Sequence, residues 1–131
     1  MSVLTRAEDI SNIAFGFMGS KALFAALHNK VFTHLSESPK TPEELAAVTA
    51  LDPERAQTLL TALAGLDLVA VEDGKFSNSP AAENFLVKGA KYDFGDYLRL
   101  QVDRQMYSLL DQIEKALVDD LPEDATGSYA Q

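Results

Sequence analysis

The sequence predicts a mainly α-helical winged helix-turn-helix, with a two-stranded hairpin wing, extra N-terminal helices and a long C-terminal helix. Two observations carry this prediction. First, Thr41-Pro42 and Asp52-Pro53 each place a capping residue before a proline, which starts two helices eleven residues apart. Second, the apolar period changes from 3.6 to 2 at Leu68, and Asp73-Gly74 is a typical hairpin turn. A hairpin that directly follows a helix-turn-helix is the arrangement of a winged helix.

Composition sets broad limits on the protein class. With 131 residues, 47% of them hydrophobic, the chain has the size and the apolar content for one core. It has no cysteine, which excludes disulfides and thiolate metal sites. The N-terminus is not typical of a signal peptide. Polar residues interrupt Ile10 to Leu27 before it reaches the ~20 apolar residues of a membrane span. We therefore expect a cytoplasmic protein without membrane contact.

The N-terminal region is expected to form apolar helices. Thr5 and Glu8 have the spacing of a capping box that opens the first helix. Gly16 and Gly19 are expected to bend or interrupt this helix, and Asn29 to stop the next one. A short third helix should follow. The apolar positions of the three helices are Ile10, Ile13, Ala14, Phe17, Met18, Leu23, Phe24, Ala26, Leu27, Val31, Phe32 and Leu35.

The central helices and the hairpin follow in order. We predict helices from Pro42 to Val48 and from Pro53 to Leu66, the second of which buries one face. The buried face should contain Leu59, Leu60, Leu63 and Leu66. The strands are expected at Leu68 to Glu72 and from Lys75 to Ser77.

The C-terminal part begins with a short helix that Ser79-Pro80 starts. A loop over 88–91 follows, and then a long amphipathic helix from Asp96 to Val118. The apolar face of that helix is predicted at Leu98, Val102, Met106, Leu109, Ile113 and Leu117. The predicted division is N-terminal dimerisation helices at 1–36, a winged-helix core at 37–90, a long helix over 91–121, and a linker or truncated tail at 122–131.

The residues that could carry chemistry are few. His28 and His34 lie six positions apart, which does not place two metal ligands on one helical face. The seven glycines are scattered and form no G-x-G, so no phosphate or nucleotide cradle is predicted. We therefore assign no catalytic, cofactor-binding or metal-ligating residue to this segment.

The charge argues against nucleic acid as the partner. Twenty acidic residues against 11 basic ones give a net charge of −9, whereas DNA binders place basic residues against phosphates. Arg55 is the one basic residue from Asp52 to Asp67, the helix that would enter the groove. A winged-helix transcriptional regulator, which the helix-turn-helix and the wing alone would suggest, is therefore kept only as an alternative. The apolar terminal helices favour a homodimer formed through the N- and C-terminal helices.

Several segments together resemble a known family. They are FMGSKALFAALH at 17–28, followed by Val31, Phe32 and Leu35, then TPEELA at 41–46, LLTALAGLDLV at 59–69, GKFSNS at 74–79 and AENFLV at 82–87. This order resembles the N-terminal dimerisation domain of class I S-adenosylmethionine-dependent small-molecule O-methyltransferases. The resemblance implies a homodimer, a cofactor bound by a catalytic domain beyond Gln131, and a hydroxylated aromatic substrate of polyketide or phenolic type.

The resemblance also implies which residues line the acceptor pocket. By position the candidates are Phe15, Met18, Phe24, Gln101, Arg104, Gln105 and Met106. The chain is then expected to be a piece of a methyltransferase that has no catalytic activity alone. A stand-alone dimer that binds a small ligand on the same apolar surface is a further alternative.

Overall fold

The structure, a computed structural model, describes residues 3–110, 112, 113 and 117. The chain divides into two compact units, Met1–Asp93 and Phe94–Gln131. Within the described residues the fold is mainly helical, with one antiparallel hairpin.

The first unit contains six helices and two strands among its described residues. They are α1 (Ala7–Ala14), α2 (Gly16–His28), α3 (Val31–Glu37), α4 (Pro42–Ala47), α5 (Pro53–Gly65), β1 (Val69–Glu72), β2 (Lys75–Asn78) and α6 (Pro80–Phe85). The predicted order is therefore confirmed throughout this unit.

Three of these helices begin at the predicted caps. The side-chain oxygens of Thr41, Asp52 and Ser79 accept hydrogen bonds from the backbone N–H groups of Glu44, Arg55 and Ala82, at 3.1, 2.8 and 3.1 Å. A proline follows each cap as the first helical residue. This position suits proline because the first N–H groups of a helix have no partner within the helix.

The first helix starts one residue later than predicted. Its N-cap is Arg6, whose backbone N–H donates to the Asp9 carboxylate at 3.2 Å while its guanidinium donates to the same group at 3.0 Å. The predicted box of Thr5 and Glu8 was therefore wrong. Asp9 lies three residues after Arg6, the same spacing as Glu8 after Thr5, so its carboxylate can accept from the Arg6 backbone N–H. It can also pair with the Arg6 side chain.

The helix is interrupted at Phe15, next to the predicted Gly16. Gly16 is the first residue of α2, whereas Gly19 lies inside α2 without breaking it. A Cβ at Gly19 would lie 3.2 Å from Cδ2 of Leu66, so Gly19 permits the close approach of α2 to the end of α5.

The core forms where α2, α3, α4 and α5 meet the hairpin. Leu60 and Leu63 of α5 are fully buried as predicted, but Leu59 is half-buried and Leu66 is exposed. The prediction for Leu66 was wrong because α5 ends at Gly65 and Leu66 is its C-cap. The buried apolar residues are Phe24, Ala26, Leu27, Val31, Phe32, Leu35, Leu45, Ala56, Leu60, Leu63, Val69, Phe76, Ala82 and Leu86.

The hairpin has the predicted two-residue turn. Asp73 and Gly74 have φ values of 52° and 76°, the left-handed pair of a type I′ turn. The strand register pairs Val69 with Asn78 and Glu72 with Lys75. Lys40 extends the sheet by one bridge to Phe76, with N–H···O distances of 3.0 and 2.8 Å.

The second unit contains a π-helix, Tyr97–Met106, followed by α7, Tyr107–Leu110. The predicted α-helix from Asp96 to Val118 was therefore wrong over Tyr97–Met106, where the helix is of the π type. Leu98, Val102 and Met106 are four residues apart, and this spacing also fits the wider i→i+5 turn of a π-helix. Tyr107–Leu110 is α-helical as predicted, and positions 111, 114–116 and 118 of the predicted helix lie outside the described residues.

Candidate dimerisation surface

Five large apolar side chains of α1 and the start of α2 face solvent. We call this set the N-terminal apolar surface: Ile10, Ile13, Phe15, Phe17 and Met18. Their exposed fractions run from 53% at Phe17 to 73% at Ile13, and α1 buries none of its eight residues. On soluble proteins, a large exposed apolar patch often marks a site that binds another molecule.

The core anchors this surface through the second half of α2. Phe24 and Leu27 are 4% and 8% exposed, so the C-terminal part of α2 is a core helix. The N-terminal part carries Phe17 and Met18 out of the core. The apolar side chains are thus presented on a helix that has one buried end.

The helical stretch that carries this surface is also long enough to span a membrane. Within the described part of the chain, Ala7–His28 is the one helical stretch whose length and apolar composition would suffice to cross a bilayer. The length argument made from the sequence therefore does not hold. The stretch is nevertheless interrupted at Phe15, and its last residues pack in the core of the first unit.

The predicted pocket residues lie in both units. Phe15 and Met18 share one turn, where the Met18 N–H donates to the Phe15 carbonyl at 3.1 Å, and both side chains are exposed. Phe24 instead packs in the core, with the Lys21 ammonium 5.7 Å from its ring centre. In the second unit the four remaining candidates are exposed along the π-helix: Gln101, Arg104, Gln105 and Met106.

The outer face of α5 carries little free positive charge. The polar residues of this face and its N-cap are all exposed: Asp52, Glu54, Arg55, Gln57, Thr58 and Thr61. The Arg55 guanidinium lies 3.7 Å from Asp52, and on the hairpin Lys75 lies 3.8 Å from Glu44. Both cations therefore have a carboxylate partner in this chain.

The described residues do not fit a nucleotide-type cofactor. In open α/β folds such sites lie at the carboxyl ends of parallel strands, whereas the sheet described in this chain is an antiparallel hairpin. In the described residues no group of three or more histidine, aspartate or glutamate side chains is placed to hold a metal ion.

Sequence reasoning missed one polar network in the first unit. Asn78 donates from Nδ2 to the Phe32 carbonyl at 2.8 Å and to Glu83 Oε1 at 3.0 Å, and Ser36 Oγ donates to Glu83 Oε2 at 2.5 Å. The bonds from Ser36 and then Asn78 lower the pKa of Glu83 below its usual 4.5. The network joins α3, β2 and α6 across 46 or 47 residues of sequence, which no local pattern reveals.

Comparison with known proteins matches most of the first unit to one family. The model of the O-methyltransferase dimerisation domain matches residues 11–88. The N,N-dimethyltransferase OxyT of Streptomyces rimosus is 29% identical over 117 residues, which cover 89% of this chain and 34% of that protein.

Two further relatives agree with this match. The tetracenomycin polyketide synthesis 8-O-methyl transferase TcmO of Streptomyces glaucescens is 32% identical over 110 residues, 83% of this chain and 32% of that protein. The structure of PigF with SAH, from Serratia sp., superposes with a TM-score of 0.81 at 26% identity, over 87% of this chain and 37% of that chain. The chain thus spans about a third of the length of these curated relatives.

Proposed function

The chain belongs to the O-methyltransferase dimerisation domain family, and from this premise we propose that it joins two copies of a methyltransferase into a homodimer. The observation that carries the proposal is the N-terminal apolar surface. Its five side chains are each more than half exposed, and a helix with such residues on most sides needs cover from outside the chain. A second copy supplies an equally apolar surface by symmetry.

The fold of the domain is proposed to be a winged helix without a DNA-reading role. The order α4, α5, hairpin and the bridge between Lys40 and Phe76 support the winged-helix assignment. The net charge of −9 and the carboxylate partners of Arg55 and Lys75 support the absence of a nucleic-acid partner. In this proposal the transcriptional-regulator alternative is disfavoured.

A second role, lining the acceptor pocket, is proposed for Phe15 and Met18. These apolar side chains are exposed in this chain and belong to one turn. For the second unit by itself we propose the same role for four exposed residues: Gln101, Arg104, Gln105 and Met106. Phe24 stays a candidate of the first unit, where its side chain packs in the core. In the whole methyltransferase, Met18→Ala should raise KM for the acceptor more than it changes kcat, and Val71→Ala should change neither.

The acceptor and the cofactor belong to the proposal for the whole protein. The name of TcmO refers to a polyketide O-methylation, which supports a hydroxylated aromatic acceptor, and the structure of PigF with SAH supports S-adenosylmethionine as the methyl donor. The described residues of this chain do not fit such a cofactor. In this proposal the donor therefore binds outside the described residues, catalysis requires that other part of the methyltransferase, and the enzyme is cytoplasmic.

Substitution of one exposed isoleucine tests the dimer interface. Ile13→Asp should weaken self-association at least about a hundredfold, because it buries an unpaired carboxylate between two copies. Val71→Asp is the control, since Val71 is a β-branched residue on the hairpin that is also 53% exposed. Sedimentation equilibrium measures both dissociation constants.

Two outcomes would contradict the proposal. One is an Ile13→Asp chain that associates as tightly as wild type. The other is a wild-type chain that stays monomeric and floats with neutral phosphatidylcholine vesicles, in which case a membrane rather than a second copy covers the N-terminal apolar surface.

A further inference from the structure

We propose that Gly16 is the point where a second copy comes closest to the α2 backbone, with an apolar side chain of that copy occupying the place of the missing Cβ. This inference rests on the proposed function, in which the N-terminal apolar surface forms the dimer interface. It adds one residue that determines how tightly the two copies fit.

Neither a positive φ nor a close neighbour in the chain requires glycine at this position. Gly74 is needed for its positive φ, and Gly19 for the close approach of Leu66. Gly16 is instead an α-helical residue, and apart from its chain neighbours and the backbone of its own helix, a Cβ built on it would meet no atom within 4 Å. Gly16 is the first residue of α2, so the helix itself would also accept a larger residue at this position.

The side of α2 on which Gly16 lies is the side that the core covers further along the helix. Residues at i, i+4, i+8 and i+11 share one helical face, and from Gly16 these are Ser20, Phe24 and Leu27. Phe24 and Leu27 are buried and Ser20 is half-buried, whereas Gly16 is exposed. The core of this chain therefore buries this face at Phe24 and Leu27 but does not reach Gly16 at the start of the helix.

The neighbours of Gly16 indicate what completes the cover. Ile13, Phe15, Phe17 and Met18 lie within three residues of it in sequence and are apolar and exposed, so we expect the occupant to present apolar groups. The same side chains on a second copy meet this requirement. An interface with twofold symmetry brings each patch against its own counterpart. The family to which the chain belongs is a dimerisation domain, which makes the second copy the occupant that we propose.

Matched glycine substitutions test this inference. Gly16→Leu should raise the dimer dissociation constant about ten- to hundredfold, because the added side chain overfills a packed contact, and Gly16→Ala should raise it by a smaller factor. Gly65 is the control: it is also an exposed helical glycine with open space around its Cβ. Gly65→Leu and Gly65→Ala should leave the dissociation constant within about twofold of wild type. Sedimentation equilibrium measures all five chains.

Circular dichroism distinguishes a packing effect from loss of the fold. At protein concentrations below the dissociation constant, where the chain is monomeric, Gly16→Ala should keep the helical spectrum. It should unfold at the wild-type temperature or slightly above, since alanine favours the helix. A dimeric wild type with Gly16→Leu equally dimeric would overturn the role of Gly16 and leave the proposed function intact. A wild type that is monomeric at high concentration would instead overturn the proposed function itself.

Discussion

At the residue scale, Asn78 connects parts of the first unit that are far apart in sequence. Asn78→Ala should lower the free energy of unfolding by about 1–3 kcal/mol, because the part-buried Phe32 carbonyl would lose its side-chain donor. Urea titration measures the change. The control is Gln57→Ala, which removes one exposed 3.5 Å contact to Thr61 and should stay within about 0.5 kcal/mol. Equal effects of the two substitutions would contradict the role of Asn78.

Glu83 gives the same network a pH dependence. Hydrogen bonds from Ser36 and Asn78 lower its pKa in the folded chain below 4.5, so the unfolded chain takes up the proton more readily. The stabilisation is therefore complete above pH 4.5 and is lost as the pH falls through the folded pKa. Urea unfolding between pH 6 and pH 3 should show a smaller loss of stability in Glu83→Gln than in wild type. Parallel pH profiles of the two chains would exclude this contribution.

At the element scale, the hairpin turn depends on its two left-handed residues. Gly74 has a φ of 76°, where a Cβ is strained although the space around it is open. Gly74→Ala should therefore destabilise the fold by about 1–2 kcal/mol. Gly65→Ala is the control, because Gly65 is helical and alanine should leave stability unchanged or raise it by about 0.4–1 kcal/mol. Thermal unfolding of the two variants checks the difference in sign.

The elements that the sequence predicted correctly are those set by local chemistry. Thr41, Asp52 and Ser79 cap their helices within three residues, and Asp73-Gly74 forms the predicted turn. The errors arose where neighbours in sequence offer near-equal choices, as with Asp9 in place of Glu8 at the start of α1. The network around Asn78 was not predictable because its partners meet only after the chain folds.

The candidate site was predictable as a region but not as individual residues. Apolar spacing identified the N-terminal helices, and the structure shows that Phe15 and Met18 are exposed while Phe24 is buried. Periodicity alone could not make this distinction, because all three are apolar residues of one helical stretch. The π-helix from Tyr97 to Met106 was missed because spacings of four residues fit both helix types.

At the scale of the whole molecule, association brings together two chains that each carry a charge of −9. Their mutual repulsion opposes the dimer and is screened by salt, with a Debye length of about 10 Å at 0.1 M and about 3 Å at 1 M. We therefore expect the dissociation constant to fall when sodium chloride is raised from 0.05 to 0.5 M. Light scattering over a dilution series measures it. An interface built on ion pairs would show the opposite trend.

The most direct test of the central claim, that the N-terminal apolar surface pairs two copies, is the molar mass of the wild-type chain over a range of concentrations. Sedimentation equilibrium from 1 to 100 μM should show a reversible change from the 14.2 kDa monomer to a species of twice that mass. The dimer should predominate at the upper end. A single 14.2 kDa species at every concentration, with the helical spectrum intact, would contradict the claim.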